Sequence, residues 1–257
     1  MIDEKNFEII MEKAKTFKYT AMNYIDFDDC KNAEILHDSN DLILLYDRSK
    51  SPIMTHWAAD NFEAVAKAVT LLPGKLRIHF VPDEFRERLK SLGFIEWVEY
   101  ADIFNTNLAD TAAKFGDVGE IEYLTLEDCE KVSTVSKECM LQSRGFEGES
   151  AEWLAGWILE NKVIICRKNS DIVGFCCVSI YAEGTILWIR ELAVAPLYQG
   201  LGYGKKLMEQ AIYYGVQKGA KKGFLAADIL NKNALSLYEK YNFYPNLAER
   251  ELQMVRE

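Results

Sequence analysis

The chain has 257 residues, 49% of them hydrophobic, and a formal net charge of −10. That is enough apolar matter for one large core or two modest ones, and the acidic balance argues against broad nucleic-acid binding, which depends on neutralising phosphates. No apolar run approaches the roughly 18 residues of a membrane span, and the acidic start, Ile2-Asp3-Glu4, is unlike a secretory leader. A cytoplasmic protein with no membrane or nucleic-acid partner is expected. The cysteines (Cys30, Cys129, Cys139, Cys166, Cys176, Cys177) show no Cys-x-x-Cys spacing, and His37, His56 and His79 lack ligand spacing, so reduced thiols and no metal site are expected.

In chain order, Phe7, Ile10, Met11, Ala14 and Phe17 recur at helical spacing. Strands are expected over 41–46 and 52–58, and a helix over 61–72 with Phe62, Val65, Val69 and Leu72 inward. A strand over 75–81 leads to a helix over 82–92, with Pro82 near its first turn and Gly93 at its end. Leu92-Gly93-Phe94 and a further strand close this part. Residues 1–108 form a smaller α/β domain on this reading. The small, polar stretch 109–119 is expected as a linker, and residues 120–257 as a second domain. There, a short strand over 120–125 precedes helices over 126–142 and 149–160, the second with Trp153, Leu154 and Trp157 on one face. Apolar strands over 162–167, 172–181 and 185–194 follow. The remainder is a helix over 205–218, with Leu207, Met208, Ala211, Ile212 and Val216 inward. It leads to a strand over 223–230, a helix over 234–241 and a strand over 249–255.

The most informative stretch is Leu192-Ala193-Val194-Ala195-Pro196-Leu197-Tyr198-Gln199-Gly200-Leu201-Gly202-Tyr203-Gly204. A strand enters a glycine turn and then a helix start. Glycine allows close backbone approach, and the free N–H groups of a helix N-terminus attract phosphate. Lys205 and Lys206 add charge. A P-loop would need a glycine where Gln199 stands and a hydroxyl where Lys206 stands, and the Gly-x-Gly-x-x-Gly fingerprint fails from either starting glycine. The pattern that fits, Gln199-x-x-Gly202-x-Gly204 after Leu192-x-Val194-x-Pro196, resembles the acyl-coenzyme A loop of the GNAT family of N-acyltransferases. A second segment agrees with it: Asn231, Ala234, Leu237, Tyr238, Glu239, Lys240 and Phe243 match the family's later signature, with Asn242 in place of its usual glycine.

The resemblance covers residues 118–257 and implies a mixed α/β fold of the GNAT type. The first domain is either a degenerate second copy of that fold or an unrelated structural module. The resemblance implies acetyl-CoA as cofactor and a small-molecule or peptide amine as acceptor, with a homodimer among the partner expectations. Leu192, Ala193 and Val194 would hold the pantetheine arm, with the Val194 N–H facing the thioester oxygen. Gln199, Gly200, Leu201, Gly202, Tyr203, Gly204 and Lys205 would hold the pyrophosphate, and Asn231 the pantetheine or the loop. Tyr238 is the candidate acid for the departing thiolate. Glu191, on an apolar strand, is the first candidate base and Asp228 the second. Trp188 and Ala226 stand where some relatives carry a glutamate. The alternative is a coenzyme A-binding scaffold that retains the fold without catalysis.

Overall fold

The structure, a computed structural model, describes residues 2–23, 25–140 and 142–257, the last range without the side chains of residues 247–249. The chain forms two compact units, Met1–Glu99 with Arg250–Glu257, and Tyr100–Glu249.

Unit 1 contains α1 (Glu4–Ala14), β1 (Tyr19–Thr20), α2 (Phe27–Cys30), β2 (Glu34–Asp38), β3 (Leu42–Asp47), β4 (Ile53–Ala59), α3 (Phe62–Leu71), β5 (Leu76–Ile78) and α4 (Asp83–Lys90), and enters β6 (Ile95–Asn105). β2, β3 and β4 pair antiparallel, whereas β4 and β5 pair parallel through Ile53–Thr55 and Leu76–Ile78. A parallel pair needs a crossover, and α3 supplies it. Asn61 starts α3 by accepting the Ala64 N–H at 3.0 Å. The chain's C-terminal residues close this unit: Met254–Arg256 pair antiparallel with Ile78–Leu76, and Leu252 and Met254 join the α3–α4 core. α1 and α2 cover the other face, over Ile43, Leu45 and Ala58.

Unit 2 begins inside β6 and continues with α5 (Leu108–Ala112), β7 (Glu122–Tyr123), α6 (Cys129–Glu138), α7 (Ala151–Glu160), β8 (Lys162–Lys168), β9 (Asp171–Tyr181), β10 (Ile186–Val194), α8 (Tyr203–Gln217), β11 (Lys222–Asp228) and α9 (Lys232–Glu239), ending within β12 (Tyr244–Arg256). Tyr100–Asn105 pair antiparallel with Asp228–Gly223. β10 and β11 are parallel, and β10, β9, β8 and β7 follow antiparallel. α8 packs on one face with α9 residues Tyr238 and Leu237, and α6 and α7 pack on the other. The fold is a mixed α/β arrangement on mixed sheets.

The structure differs from the sequence reading in three places. Helix α5 occupies the first residues of the stretch expected as a linker, and the unit boundaries fall at 99/100 and 249/250, inside strands, rather than at 109–119. Elements β1, α2 and β2 are additional. β2 reads Glu-Ile-Leu-His-Asp and is largely exposed, so an apolar pattern had little to mark there. The helix expected over 126–142 is shorter, a 3-10 turn at Leu126–Asp128 followed by α6.

Candidate active site

β10 and β11 are paired at Ile186–Trp188 and Lys222–Phe224. Beyond these residues β10 continues against β9 as far as Val194 and β11 against β6 as far as Asp228, so the parallel strands part. At the end of β10 the Ala195 N–H returns to the Val173 carbonyl at 2.9 Å. Alternation therefore points Leu192 and Val194 backbone groups away from β9, toward the opening. The chain then makes a 3-10 turn at Pro196–Tyr198. Gln199 Nε2 donates to the Val194 carbonyl at 2.9 Å, so this amide braces the turn from inside.

Gly200 and Gly202 have φ of 75° and 90°, a region L side chains rarely adopt, and a Cβ on either would meet nothing within 4 Å. Open space over two left-handed glycines is what close ligand approach requires. Gly202 is the N-cap of α8 and offers no side chain to its first turn. The first intrahelical bond there is Lys206 N–H to the Gly202 carbonyl at 3.0 Å, so the Tyr203, Gly204 and Lys205 N–H groups precede any helical acceptor. Gly204 lies within the helix, where a Cβ would sit 3.6 Å from Leu237 Cδ2, an ordinary contact. Leu201 is exposed, and the largely exposed Lys205 amine lies 3.8 Å from Glu209.

The register of β10 against β9 shifts between Ile189 and Glu191. A bulge breaks the alternation of faces. Trp188 opposes Ser179 and Glu191 opposes Cys177, and Cys177 belongs to the core under α6 and α7. Glu191 thus faces α7. Arg190 Nη1 donates to Glu149 Oε1 at 2.6 Å and to Glu191 Oε1 at 3.2 Å. The guanidinium lies 4.1 Å from the centre of the Trp153 ring. Burial, and secondarily the charge of Glu149, push the Glu191 carboxyl up to about 7 against the opposing pull of Arg190. A carboxyl in that range exchanges protons at neutral pH.

Tyr238 is buried on α9 in the α8 core, and desolvation, then Cys176 and Glu191, hold its phenol well above the ordinary tyrosine range. Asn231 caps α9, accepting the Ala234 N–H at 3.1 Å. Asp228 is taken up by a bidentate pair with Arg144, 2.9 Å from Nε and 2.6 Å from Nη2, and by the Leu230 N–H at 3.0 Å. The pair ties the 143–148 loop to the end of β11. Cys176 and Cys177 are buried with raised thiol pKa, and no His/Cys/Asp/Glu group among the described residues could hold a metal ion. Sequence reasoning gave Glu149, Trp153 and Trp157 no part in the site. Two tryptophans four residues apart in a helix opposite charged residues in an apolar strand are the signal that would have found them.

Residues 129–243 match the model of the acetyltransferase (GNAT) family. The chain is 28% identical over 101 residues to an uncharacterised N-acetyltransferase of Methanocaldococcus jannaschii, covering 36% of this chain and 45% of that protein. It is 35% identical over 77 residues to a [ribosomal protein bS18]-alanine N-acetyltransferase of Haemophilus influenzae, covering 30% and 50%. The chain thus spans about half the length of these curated relatives. A GCN5-related N-acetyltransferase from Sphaerobacter thermophilus shares the fold, with a TM-score of 0.59 at 14% identity over 86% of this chain and 82% of that one. The glycine turn, the parted strands and the helix behind them all lie inside residues 129–243, the segment that matches the GNAT acetyltransferase family model.

Proposed function

We propose that the chain is an acetyl-CoA-dependent N-acetyltransferase that passes the acetyl group to a primary amine by direct attack in a ternary complex. The observation that carries this reading is the Gly200–Lys205 turn, with open left-handed glycines and free helix N–H groups, at the end of a strand that has parted from its parallel neighbour. The fit to acetyl-CoA is chemical. A pyrophosphate needs several convergent N–H donors, and Gly200 to Lys205 supply them. A pantetheine amide needs strand-like partners, and the Leu192 and Val194 backbone groups face the opening.

When bound, acetyl-CoA supplies an activated acyl carbonyl and a thiolate leaving group. The Val194 N–H is placed to stabilise negative charge on the carbonyl oxygen. Glu191 accepts the proton that the acceptor ammonium must shed before attack, and its raised pKa narrows the gap to the ammonium's value of about 10. Tyr238 retains its proton and donates a hydrogen bond to the departing sulfur. With its phenol pushed above the thiol range, it stabilises the thiolate without surrendering the proton outright. Gln199 and Asn231 act through the backbone, one bracing the turn and the other starting α9.

A scaffold that binds coenzyme A without catalysis is the second reading, favoured by Trp188 and Ala226 at positions where some relatives carry a glutamate. Calorimetry with acetyl-CoA, together with free-thiol release over a panel of amines, separates the two. Binding with turnover supports the enzyme, binding without turnover the scaffold, and absence of binding removes both. A cytoplasmic location belongs to the proposal. It accords with buried free thiols, and no helix among the described residues is long and apolar enough to cross a membrane. The name of the Haemophilus relative specifies a protein alanine; for this chain the acceptor class is argued from its own residues below.

A further inference from the structure

On the α7 side of β10, a set of side chains has chemistry that the coenzyme half of the reaction does not use. Arg190 joins Glu149 and Glu191 through a single nitrogen, and its guanidinium lies 4.1 Å from the Trp153 ring centre and 5.6 Å from that of Trp157. Trp153 and Trp157 are stacked at 5.1 Å, and Trp157 meets Trp188 edge-on at 5.9 Å. A cation held between carboxylates and over indole faces is the arrangement of a cation-recognition site. Here a residue of the chain is the cation.

The charges in this cluster do not balance. Two carboxylates face one guanidinium, and the side chains of Glu149 and Glu191 are only 17% and 16% exposed. With Glu191 ionised, one negative charge is left poorly solvated, and the repulsion from Glu149 is part of what keeps the Glu191 proton on. Among the described residues, neither Oε2 of Glu149 nor Oε2 of Glu191 accepts a hydrogen bond. A second cation with N–H donors is what the cluster lacks, and a primary amine arrives at neutral pH as an ammonium. The three indoles are partly exposed and offer an apolar surface to whatever carries that ammonium. An acceptor with a carboxylate beside its amine would bring a further negative charge to a cluster that already holds an excess of it.

Resting on the reading of unit 2 as an N-acetyltransferase, we propose that the acceptor is a monocationic primary amine with an apolar, aromatic body and no adjacent carboxylate. Its ammonium binds between Glu149 and Glu191, and its body lies against Trp153 and Trp157. The test titrates the full chain with 2-phenylethylamine, phenylalanine and methylamine, followed by indole fluorescence, with and without coenzyme A. Acetyl-CoA calorimetry is run on the same preparations. The expected result is that 2-phenylethylamine binds at least tenfold more tightly than either other amine. Glu149→Gln should weaken it at least tenfold while leaving acetyl-CoA affinity unchanged. Trp153→Phe should keep the preference over methylamine and Trp153→Ala should lose it. Equal affinity for phenylalanine or methylamine, no response to any amine, or an unaltered Glu149→Gln would overturn the proposal. If Glu149→Gln or Trp153→Ala fails to fold by circular dichroism, the wild-type amine series and Trp153→Phe decide it. A failed acetyl-CoA titration counts against the enzyme reading alone, because the amine titration needs no coenzyme.

Discussion

The two units share one local construction and differ in what fills it. In unit 1 the run is β4–α3–β5–α4, a turn at Leu92-Gly93-Phe94, then β6. In unit 2 it is β10–α8–β11–α9, a turn at Tyr241-Asn242-Phe243, then β12. Both turns need a left-handed residue, Gly93 at φ 85° and Asn242 at φ 58°, and both bury the phenylalanine that follows. In each unit the parallel pair holds for the same short register before the recorded pairing stops. In unit 1, Trp57 lies buried beyond that point, its indole N–H donating to the His79 carbonyl at 2.9 Å. Asp60 and Asn61 alone lead into α3, and the Asn61 side chain occupies a free donor of its first turn. In unit 2 the connection is residues 195–202, and the N-cap glycine leaves those donors open. A strand–helix–strand frame becomes a ligand site when its helix N-terminus is not satisfied from within.

The largest expected effect tests the boundaries on which this comparison rests. Unit 2 includes Tyr100–Asn105, which cover the edge of β11. A fragment of residues 100–249 should stay soluble and bind acetyl-CoA. A fragment of residues 116–257 lacks that strand and exposes an unpaired edge, so it should aggregate or bind at least a hundredfold more weakly. Equal behaviour of the two by calorimetry and light scattering would mean that β11 needs no such partner.

That boundary was hidden in the sequence for a physical reason. Ile95–Asn105 and Tyr244–Arg256 are long strands whose own periodicity says strand but not which sheet edge each joins. Pairings at such separations are decided by tertiary packing. The glycine turn was legible because its chemistry is local. The bulge was not: simple alternation along β10 puts Arg190 and Glu191 on opposite faces, and only the register against β9 corrects this. Glu149 was hidden similarly. It was expected inside a helix, but Ser150 caps α7, accepting the Trp153 N–H at 3.1 Å, and leaves Glu149 outside the helix, reaching toward Arg190.

Next in size are the chemical groups that unit 1 lacks. Glu191→Gln should lower kcat/KM by roughly 10²-fold at neutral pH, the usual range for losing a general base. The wild-type profile should rise with pH and level off above about 7, where the raised Glu191 carboxyl becomes ionised, and the variant should lose that limb. Tyr238→Phe should lower kcat by a similar ~10²-fold with little change in acetyl-CoA affinity, because its hydroxyl acts on charge that appears in the transition state. Unchanged kcat, with chemistry rate-limiting, would leave the thiolate to solvent.

A smaller effect separates the two helix starts. Gly202→Val forces a β-branched residue into φ 90° and should weaken acetyl-CoA at least tenfold. Asn61→Ala removes a capping hydrogen bond and should cost about 1 kcal/mol of stability with no change in coenzyme affinity. If Asn61→Ala weakened acetyl-CoA as much as Gly202→Val, the cradle would not be confined to unit 2.

The smallest effect contrasts the units by pH. His79 is buried in unit 1, and desolvation, helped by the neighbouring His56 and Arg77, lowers its pKa from 6.5 to about 3. His56 is lowered too, by burial, against the opposing charges of Asp29 and Asp47, while Glu251 lies 4.0 Å from His79 Nδ1 and is too distant to hold a proton there by hydrogen bonding. Above pH 6.5 the imidazole is neutral in both folded and unfolded chains and contributes no pH dependence. As pH falls below 6.5 the unfolded chain takes a proton that the folded one refuses until about pH 3, so stability is lost across that window. One group gives a slope of at most about 1.4 kcal/mol per pH unit. Glu191 acts in the opposite sense: its raised pKa costs unit 2 stability as pH rises from 4.5 to about 7. Denaturant melts at pH 7 and pH 5, followed by the fluorescence of Trp57 in unit 1 and of Trp153 in unit 2 in single-tryptophan variants, should therefore show unit 1 weakening on acidification while unit 2 does not. His79→Gln should flatten the unit 1 response, and an unchanged slope in that variant would assign the acid sensitivity to other groups.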